Sequence, residues 1–517
     1  MRLSSAIERA AQINPRGGGT AFAGRRHDWQ TFVERVKRIA GGLTAAGLAP
    51  NDRVAMISLN SDRFCALVFA ISWAGGVVQP VNMRLAVAEM AEQIVDSGAR
   101  LIIIDEAGAS AIAPTRSGLG NAVEWIDIGD RTADGISYDA LFSSTPMERP
   151  APGASDDFAV LFYTGGTTGR AKGVMLSHRN LTGCALSQSA ALPMAADDVS
   201  LHALPMFHVG AISGMLVGIM GGGGHRFLAR FDPVDFMATV ASERVTRTSL
   251  GPTMIKMLLE HPRFAEFDLS SVRRLHYGSA PIAESLLEET IRKLPGIGLI
   301  QGYGQTEASG VISMLVQRYH VLDGPNAGKL RSAGQAVPGV EVRIVDNDGL
   351  PGEVGQVGEI CARGDPVMLG YWNRPEETAA ALQDGWLHTG DMGYLDDDGF
   401  LFVADRLKDM IVTGGENVFS AEVEGALLRH PDVEECAVIG VPSDKWGEQV
   451  HAIVRPSAGS TIDEPTLVAH CATLIARFKC PKSIEFRTAP LPLSAVGKVL
   501  KADLRRENRP VAIPKEV

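Results

Sequence analysis

The chain has 517 residues, more than one ordinary hydrophobic core accommodates, and its length predicts about three domain-sized units. Hydrophobic residues make up 45% of the chain and charged residues 21%, a balance typical of soluble globular proteins. The formal net charge of −11 argues against a nucleic-acid-binding role, although a local cationic site can still bind an anion such as ATP.

The six cysteines form neither a C-x-x-C pair nor a zinc-binding spacing, so we interpret them as small buried hydrophobic residues in a reducing cytoplasm. The N-terminus lacks the long apolar core of a signal peptide. The longest apolar stretches, Ala66–Val78 and Val209–Gly224, are shorter than the ~20 residues of a membrane-spanning helix. We therefore expect a cytoplasmic protein without a transmembrane segment.

The first hundred residues alternate helical and strand patterns, which predicts a layered α/β sheet. The predicted helices are Ser5–Gln12, Trp29–Ala46, Asp62–Trp73 and Leu85–Ser97, and the predicted strands are Arg53–Ser58, Gly76–Pro80 and Leu101–Ile104.

Two apolar runs, Phe158–Tyr163 and Gly173–Leu176, flank a loop of glycines and threonines. Glycine lets successive N–H groups turn to one side, where they form a nest for an anion such as phosphate. Thr164, Thr167 and Thr168 add hydroxyl donors, and Lys172 adds a positive charge. The loop therefore predicts a triphosphate clamp, with an ordinary Gly/Thr hairpin as the alternative on composition alone. It is not a P-loop, because Gly and not Ser or Thr follows Lys172.

This loop resembles the signature of the adenylate-forming superfamily, which comprises acyl-CoA synthetases, luciferases and peptide-synthetase adenylation modules. That signature reads Tyr-Thr-Ser-Gly-Thr-Thr-Gly-x-Pro-Lys-Gly. Here Gly165 stands in place of Ser and Ala171 in place of Pro, whereas Gly166, Gly169 and Lys172 are retained. Further motifs match in order along nearly the whole chain.

The resemblance implies an α/β fold with a large N-terminal domain, residues 1–405, made of two layered α/β subdomains and a small β-barrel-like unit at about 334–405. Short strand patterns at Val340–Val345, Val357–Ala362 and Gly399–Val403 agree with the β unit. A hinge at 406–409, centred on Lys408, would lead to a small mobile α+β C-terminal domain, residues 410–517.

The segment Leu204–His208 precedes a run of small residues that would leave space rather than fill it. The resemblance implies an acyl pocket there, with His208 beside the reacting carboxylate. A core histidine with a backbone partner is the alternative interpretation.

Two glycine-containing motifs resemble the family's nucleotide site. Gly278, Ser279, Ala280 and Pro281 form a turn whose backbone would lie along the adenine. In the hexapeptide Gly302–Glu307, Tyr303 offers an aromatic face, Thr306 would contact phosphate and Glu307 would hold Mg²⁺, a cation that prefers carboxylate and phosphate oxygens. Without the resemblance, a strand-end turn and a solvated glutamate would be the preferred interpretations.

Further residues match the family's nucleotide and CoA contacts. Asp391 matches the ribose ligand, and Arg406 matches a second ribose or phosphate contact. Lys498 matches the lysine that bridges carboxylate and phosphate during adenylation. The residues expected along CoA are Gly414, Gly415, Trp446, Phe478 and Lys482. For the aromatic residues, core packing competes with this interpretation.

The resemblance implies an AMP-forming carboxylic acid–CoA ligase that uses ATP, Mg²⁺ and CoA. An adenylating enzyme that delivers its acyl group to a carrier protein, and a nucleotide-binding regulatory protein without chemistry, are the alternatives. The sequence leaves open whether the acid is fatty or aromatic and whether the chain forms a homodimer.

Overall fold

The computed structural model describes residues 1–119, 123–130, 135–164, 171–280, 282–346, 348–407, 409–413, 416–443, 445–493 and 499–508. Within these ranges the helices are α1 (Leu3–Ile13), α2 (Trp29–Ala45), α3 (Asp62–Trp73), α4 (Val87–Ser97), α5 (Glu106–Ile112), α6 (Tyr138–Phe142), α7 (His178–Ala191), α8 (Val209–Met220), α9 (Pro233–Glu243), α10 (Pro252–Leu259), α11 (Glu284–Lys293), α12 (Pro375–Ala381), α13 (Ser420–Leu427), α14 (Glu464–Leu474) and α15 (Lys501–Glu507).

The strands are β1 (Gly19–Phe22), β2 (Arg25–His27), β3 (Arg53–Ile57), β4 (Val77–Pro80), β5 (Leu101–Ile104), β6 (Glu124–Asp127), β7 (Ile136–Ser137), β8 (Phe158–Thr164), β9 (Lys172–Ser177), β10 (Val199–His202), β11 (Gly224–Phe227), β12 (Arg247–Leu250), β13 (Arg274–Gly278), β14 (Gly298–Tyr303), β15 (Ser313–Leu315), β16 (Gln335–Ala336), β17 (Val340–Val345), β18 (Gly358–Gly364), β19 (Gly370–Tyr371), β20 (Leu382–Gln383), β21 (Trp386–Leu395), β22 (Leu401–Arg406), β23 (Ile411–Thr413), β24 (Glu416–Val418), β25 (Val433–Ser443), β26 (Gly447–Pro456) and β27 (Ser483–Phe486).

The predicted helices and strands of the first hundred residues are confirmed, with ends that differ by two residues or fewer. Local capping sets several of these ends. Asp28 accepts a hydrogen bond from the Thr31 N–H at the start of α2. At α4, Glu89 accepts one from the Ala86 N–H, so this helix starts at Val87, two residues later than predicted.

The chain divides into two compact units. The first consists of Met1–Ser279, Thr290–Val342 and Cys361–His388, and the second of Ala280–Glu289, Arg343–Ile360 and Thr389–Val517.

The first unit contains two large sheets. One has nine strands in the order β16-β15-β14-β13-β12-β10-β11-β1-β2, and its neighbours from β14 to β1 are parallel. The other has eight strands in the order β19-β9-β8-β4-β3-β5-β6-β7. Buried side chains of both sheets share one hydrophobic cluster with α1, α2, α3, α7 and α8. The predicted layered α/β architecture is therefore confirmed.

Two short strands from the predicted β unit belong to these larger sheets. β16 pairs with β15 in the nine-stranded sheet, and β19 pairs with β9 in the eight-stranded sheet. The second pairing carries residues 370–371 to the strand that begins with Lys172, a predicted phosphate-binding residue.

The second unit is built around the sheet β24-β23-β26-β25, with β27 paired to β26. Alternate residues of β25 face opposite sides. Val438 packs in a cluster with residues of α13 and α14, whereas Ala437 and Ile439 pack in another with Leu504 of α15. This arrangement confirms the small α+β domain at the C-terminal end.

No helix within the described ranges is both long and apolar enough to cross a membrane.

A buried ion pair joins α15 to α13 and supplies a stability test. Lys501 Nζ lies 2.7 Å from Glu424 Oε1, and burial raises the pKa of Glu424. Lys501→Met would leave this carboxylate without its cation, so we expect a loss of about 3 kcal/mol in the local free energy of opening. Peptide-resolved hydrogen exchange over α13 measures it.

Lys479→Met is the matched control, because it removes the lysine of a more exposed pair with Glu422, for which we expect about 1 kcal/mol or less. Equal changes in the two variants would contradict the importance of the buried pair.

Candidate nucleotide and acyl site

The two ends of the predicted clamp lie side by side. β8 ends at Thr164 and β9 begins at Lys172, and these two residues are partners in the antiparallel register. The Thr164 hydroxyl donates to the Lys172 carbonyl at 3.5 Å. The predicted phosphate-binding residues between them, Gly165, Gly166, Thr167, Thr168 and Gly169, lie outside the described residues.

Tyr371 connects two of the predicted catalytic residues. Its hydroxyl donates to Glu307 Oε1 at 2.9 Å, and Lys172 Nζ lies 5.0 Å from the centre of its ring. Glu307 is buried, with 9% of its surface exposed. Burial, followed by the adjacent Glu307 charge, raises the pKa of Tyr371, so its hydroxyl stays protonated and can donate. The structure thus brings a cation and a carboxylate to the same aromatic side chain.

Backbone hydrogen bonds fix the segment that carries Tyr371. The Trp372 N–H donates to the Gly173 carbonyl at 2.7 Å, and the Leu369 N–H to the Met175 carbonyl at 2.9 Å. The Met368 N–H donates to the Glu307 carbonyl at 2.8 Å. The segment is therefore bound both to β9 and to the turn that holds Glu307.

Thr306 and Glu307 lie in a single 3₁₀ turn, Thr306–Ala308, which follows the end of β14 at Tyr303. The next residue, Ser309, has a left-handed φ of 55°, uncommon for a residue other than glycine, and its hydroxyl donates to the Pro366 carbonyl at 2.8 Å. The turn is thus tied to the Tyr371 segment by a side chain as well as by backbone.

Gly278 and Gly302 are register partners at the carboxyl ends of the parallel strands β13 and β14. A Cβ atom on Gly278 would lie 2.4 Å from the Gly302 carbonyl oxygen, so only glycine fits there. Ser279 follows with a left-handed φ of 67° and leads to Ala280; Pro281 lies outside the described residues. A bare backbone surface outside the carboxyl ends of parallel strands is where α/β sheets bind nucleotides.

His208 occupies the N-cap position of α8, and its ring contacts Phe207 edge-on at 4.6 Å between centroids. Asn60, which the sequence did not indicate, fixes the preceding turn. Its amide donates to the Leu204 carbonyl at 2.9 Å, and its oxygen accepts from the Met206 N–H at 2.7 Å.

A small cavity of about 20 Å³ lies beside α8, where the sequence predicts the acyl pocket. We call it the acyl cavity; it is lined by Ser200, Leu201, His202, Ala203, Leu204, Gly210, Ala211, Gly214, Arg247, Thr248 and Ser249. Its strand side is unusually polar for buried parallel strands, which are normally near-continuous apolar runs.

Three histidines lie on this side of the sheet, and burial lowers the pKa of each. Burial lowers the pKa of His202 to about 3, and the pKa values of His225 and His276 lie well below the ordinary value for the same reason. His202 Nε2 and His225 Nδ1 share a hydrogen bond of 2.8 Å, and their rings stack.

Several predicted ligand contacts lie in the second unit. Arg406 Nε lies 3.1 Å from Asp391 Oδ1, across the antiparallel pair β21–β22, so the two predicted ribose contacts are adjacent. Trp446 and Phe478 are about two-fifths exposed, which leaves both rings accessible. Lys482 Nζ donates to the Arg477 carbonyl at 3.2 Å. Lys408, Gly414, Gly415 and Lys498 lie outside the described residues, and their roles stay predictions.

The residues present suit Mg²⁺ and ATP. The Glu307 carboxylate is a hard oxygen ligand of the kind Mg²⁺ prefers, and Lys172 provides a cation for phosphate at the edge of the loop.

Comparison with known proteins supports this interpretation. Residues 7–372 match the model of the AMP-binding enzyme family, and residues 422–498 match that of the AMP-binding enzyme C-terminal domain. A feruloyl-CoA synthase from Amycolatopsis is 39% identical over 505 residues, which cover 98% of each chain. A long-chain fatty acid–CoA ligase of Mycobacterium tuberculosis is 36% identical over 481 residues, or 92% of each chain.

A solved structure shares the architecture. The crystal structure of ATP-bound MatB from Rhodopseudomonas palustris superimposes with a TM-score of 0.87 at 32% identity, covering 98% of this chain and 99% of that one. The predicted superfamily and enzyme class are therefore confirmed, and the chain belongs to the AMP-binding enzyme family, in its branch of AMP-forming acid–CoA ligases that use ATP, Mg²⁺ and CoA.

Proposed function

We propose that this ligase activates an aromatic acid in preference to a long-chain fatty acid, with the residue roles described below. The polar lining of the acyl cavity is the observation that carries the proposal. A long alkyl chain would cover Ser200 and Ser249 with methylene groups and leave their hydroxyls without water or partners, which is unfavourable. The 39% identical feruloyl-CoA synthase, named for an aromatic acid, supports the same choice.

The reaction proceeds in two displacements. A carboxylate oxygen of the acid attacks the α-phosphorus of ATP and pyrophosphate leaves; the thiol sulfur of CoA then attacks the acyl carbonyl carbon, AMP leaves and the thiol proton is released. The attacking carboxylate is already ionised, so the first step needs no general base. Its barrier is mainly charge repulsion and alignment, which cations and fixed hydrogen-bond donors lower.

Within this proposal, phosphate is bound by Lys172, Thr164 and the glycine–threonine loop. Thr306 also contacts phosphate, and Glu307 holds Mg²⁺. Mg²⁺, when bound, neutralises charge on the phosphates. His208 lies beside the acid, Asp391 and Arg406 bind ribose, and Lys498 bridges carboxylate and phosphate. The C-terminal residues Trp446, Phe478 and Lys482 contact CoA. A reducing cytoplasmic location is part of the proposal, because all six cysteines are free thiols.

The function test is a panel of acids assayed for pyrophosphate release and for consumption of free CoA. Hydroxycinnamates and benzoates should give kcat/KM at least about tenfold above long-chain fatty acids, since each unpaired buried polar group disfavours the alkyl substrate. Preference for long-chain fatty acids would contradict the substrate class. Pyrophosphate release with transfer only to a carrier protein would contradict the CoA acceptor.

Tyr371 supplies the second test. Tyr371→Phe keeps the ring near Lys172 but removes the hydroxyl that orients Glu307, so the Mg²⁺ concentration for half-maximal pyrophosphate release should rise about tenfold. Tyr371→Leu should also weaken ATP binding, because it removes the ring as well. Mn²⁺ binding in the presence of ATP, followed by electron paramagnetic resonance, gives a readout that does not need turnover.

Tyr394→Phe is the control, since that ring stacks on Phe402 in the second unit. An unchanged metal dependence in Tyr371→Phe would show that the hydroxyl does not position Glu307.

Lys498 supplies the third test. Lys498→Ala should slow adenylation by about 10²–10³-fold, because it removes a cation from the site of developing charge, yet spare thioester formation from added acyl-adenylate. Lys256→Ala, which changes an exposed lysine of α10, should leave both half-reactions intact. Equal loss of the two half-reactions in Lys498→Ala would refute its assignment to the first.

A further inference from the structure

A buried cation, Arg247, lines the acyl cavity, and it forms no ion pair with a carboxylate in the part of the chain that the structure describes. Arg247 begins β12, lines the cavity and has 4% of its surface exposed. Within the described part of the chain, its side chain donates one hydrogen bond, to Met194 Sδ, and sulfur is a weak acceptor. The nearby Asp198 instead pairs with Arg273 at 2.7 Å and Arg274 at 3.8 Å.

The guanidinium stays charged despite its burial. Burial, followed by the neighbouring Arg274, lowers the pKa of Arg247 to about 10, still well above neutrality. A buried guanidinium has five donors and gains from each acceptor that it meets.

Two serine hydroxyls lie on the same wall. Ser200 is the register partner of Arg247, and Ser249 lies two residues further along β12, so all three side chains share one face of the sheet. Neither hydroxyl has a hydrogen-bond partner among the residues that the structure describes. The wall therefore presents a cation and two hydroxyls to the cavity.

The glycines of α8 show how far Ser200 and Ser249 lie from His208. A Cβ on Gly210, in the first turn after His208, would meet no atom within 4 Å. A Cβ on Gly214, one turn further along α8, would lie 3.9 Å from Ser249 Oγ. A Cβ on Gly218, a further turn along, would lie 3.0 Å from Ser200 Oγ. Eight residues of helix span about 12 Å, so Ser200 and Arg247 lie at the end of the cavity far from His208.

We propose that Arg247, together with Ser200 and Ser249, determines specificity by binding an oxygen acceptor at the far end of the substrate acid. The inference rests on the proposed function, because it places the reacting carboxylate near His208. A hydroxyl or methoxy oxygen on an aromatic ring and a second carboxylate share this acceptor chemistry. An acid that ends in hydrogen or methyl leaves the donors unpaired, and a site built to hydrogen-bond a substrate strongly rejects such an analogue.

The experiment compares kcat/KM for pyrophosphate release with cinnamic acids that differ at the 4-position: hydroxy, methoxy, carboxy, methyl and hydrogen. The native enzyme should prefer the oxygenated acids by at least about tenfold. Comparison of the hydroxy and methoxy acids with the carboxy acid shows whether the preferred acceptor is a hydroxyl or methoxy oxygen or a second carboxylate. In Arg247→Met the preference should fall at least about tenfold, because the methionine fills space but donates no hydrogen bond.

Arg274→Met is the matched control, since Arg274 neighbours Arg247 in register but does not line the cavity, and it should keep the preference. A purely structural role for Arg247 would lower kcat/KM for all five acids equally. If Arg247→Met fails to fold, Ser249→Ala keeps the proposal testable, because it should reduce the same preference severalfold.

Calorimetric titration of the same acids without ATP separates this inference from the proposed function. An oxygen preference in binding that is lost in Arg247→Met supports the inference even if no acid releases pyrophosphate. An unchanged preference in folded Arg247→Met and in Ser249→Ala, or a native preference for 4-methylcinnamate, would overturn it.

Discussion

The hydrogen bond from Tyr371 to Glu307 is the constraint on which the nucleotide half of the site depends. It joins side chains 64 residues apart, and both are held by the same short segment, which pairs with β9. Because β9 begins with Lys172, one strand register fixes the positions of the cation, the aromatic ring and the carboxylate. No salt bridge joins Lys172 to Glu307, both of which are described. The Tyr371 side chain lies next to both groups.

The acyl half of the site depends on a different pairing, between a glycine-rich helix face and a polar sheet face. Gly210, Gly214 and Gly218 recur every four residues and therefore lie on one face of α8. At Gly218 an added Cβ would lie 2.8 Å from His225 Cε1, so the histidine occupies space that any other residue would take. The helix can approach the sheet closely, yet the polar wall beside Gly210 and Gly214 is left uncovered. The same glycines that permit this packing therefore leave the acyl cavity.

Much of the fold could be predicted from the sequence, because local periodicity dominates it. The helix predicted at Trp29–Ala46 from apolar residues spaced about 3.6 apart is observed at Trp29–Ala45, and its buried residues repeat at that spacing. The pairing of β19 with β9 could not be predicted, because a two-residue strand has no periodicity and its partner lies almost 200 residues away. Tyr371 was missed for that reason: its role depends entirely on a long-range contact.

The polar wall left a weak signal in the sequence. Ser200 and His202, Arg247 and Ser249, and Arg274 and His276 each occupy alternate positions in one strand of the parallel sheet. Alternation of this kind normally indicates a strand with one solvated face. Only the order of the strands shows that the polar positions of neighbouring strands share one face beneath α8, so the signal could not be interpreted from one strand alone.

Residues before and after the predicted hinge make contacts that a rotation at the hinge would have to preserve or break. Arg406 pairs with Asp391, which precedes the hinge, and this contact agrees with a shared ribose site. Asp405 also precedes the predicted pivot, yet its carboxylate accepts hydrogen bonds from the backbone and hydroxyl of Ser420, at the start of α13. Lys501, three residues after Lys498, donates to the same hydroxyl. A rotation about Lys408 would have to break the bonds between Asp405 and Ser420 or carry Asp405 with it. Within the second unit, Asp405, Ser420 and Lys501 are thus joined by one hydrogen-bond network.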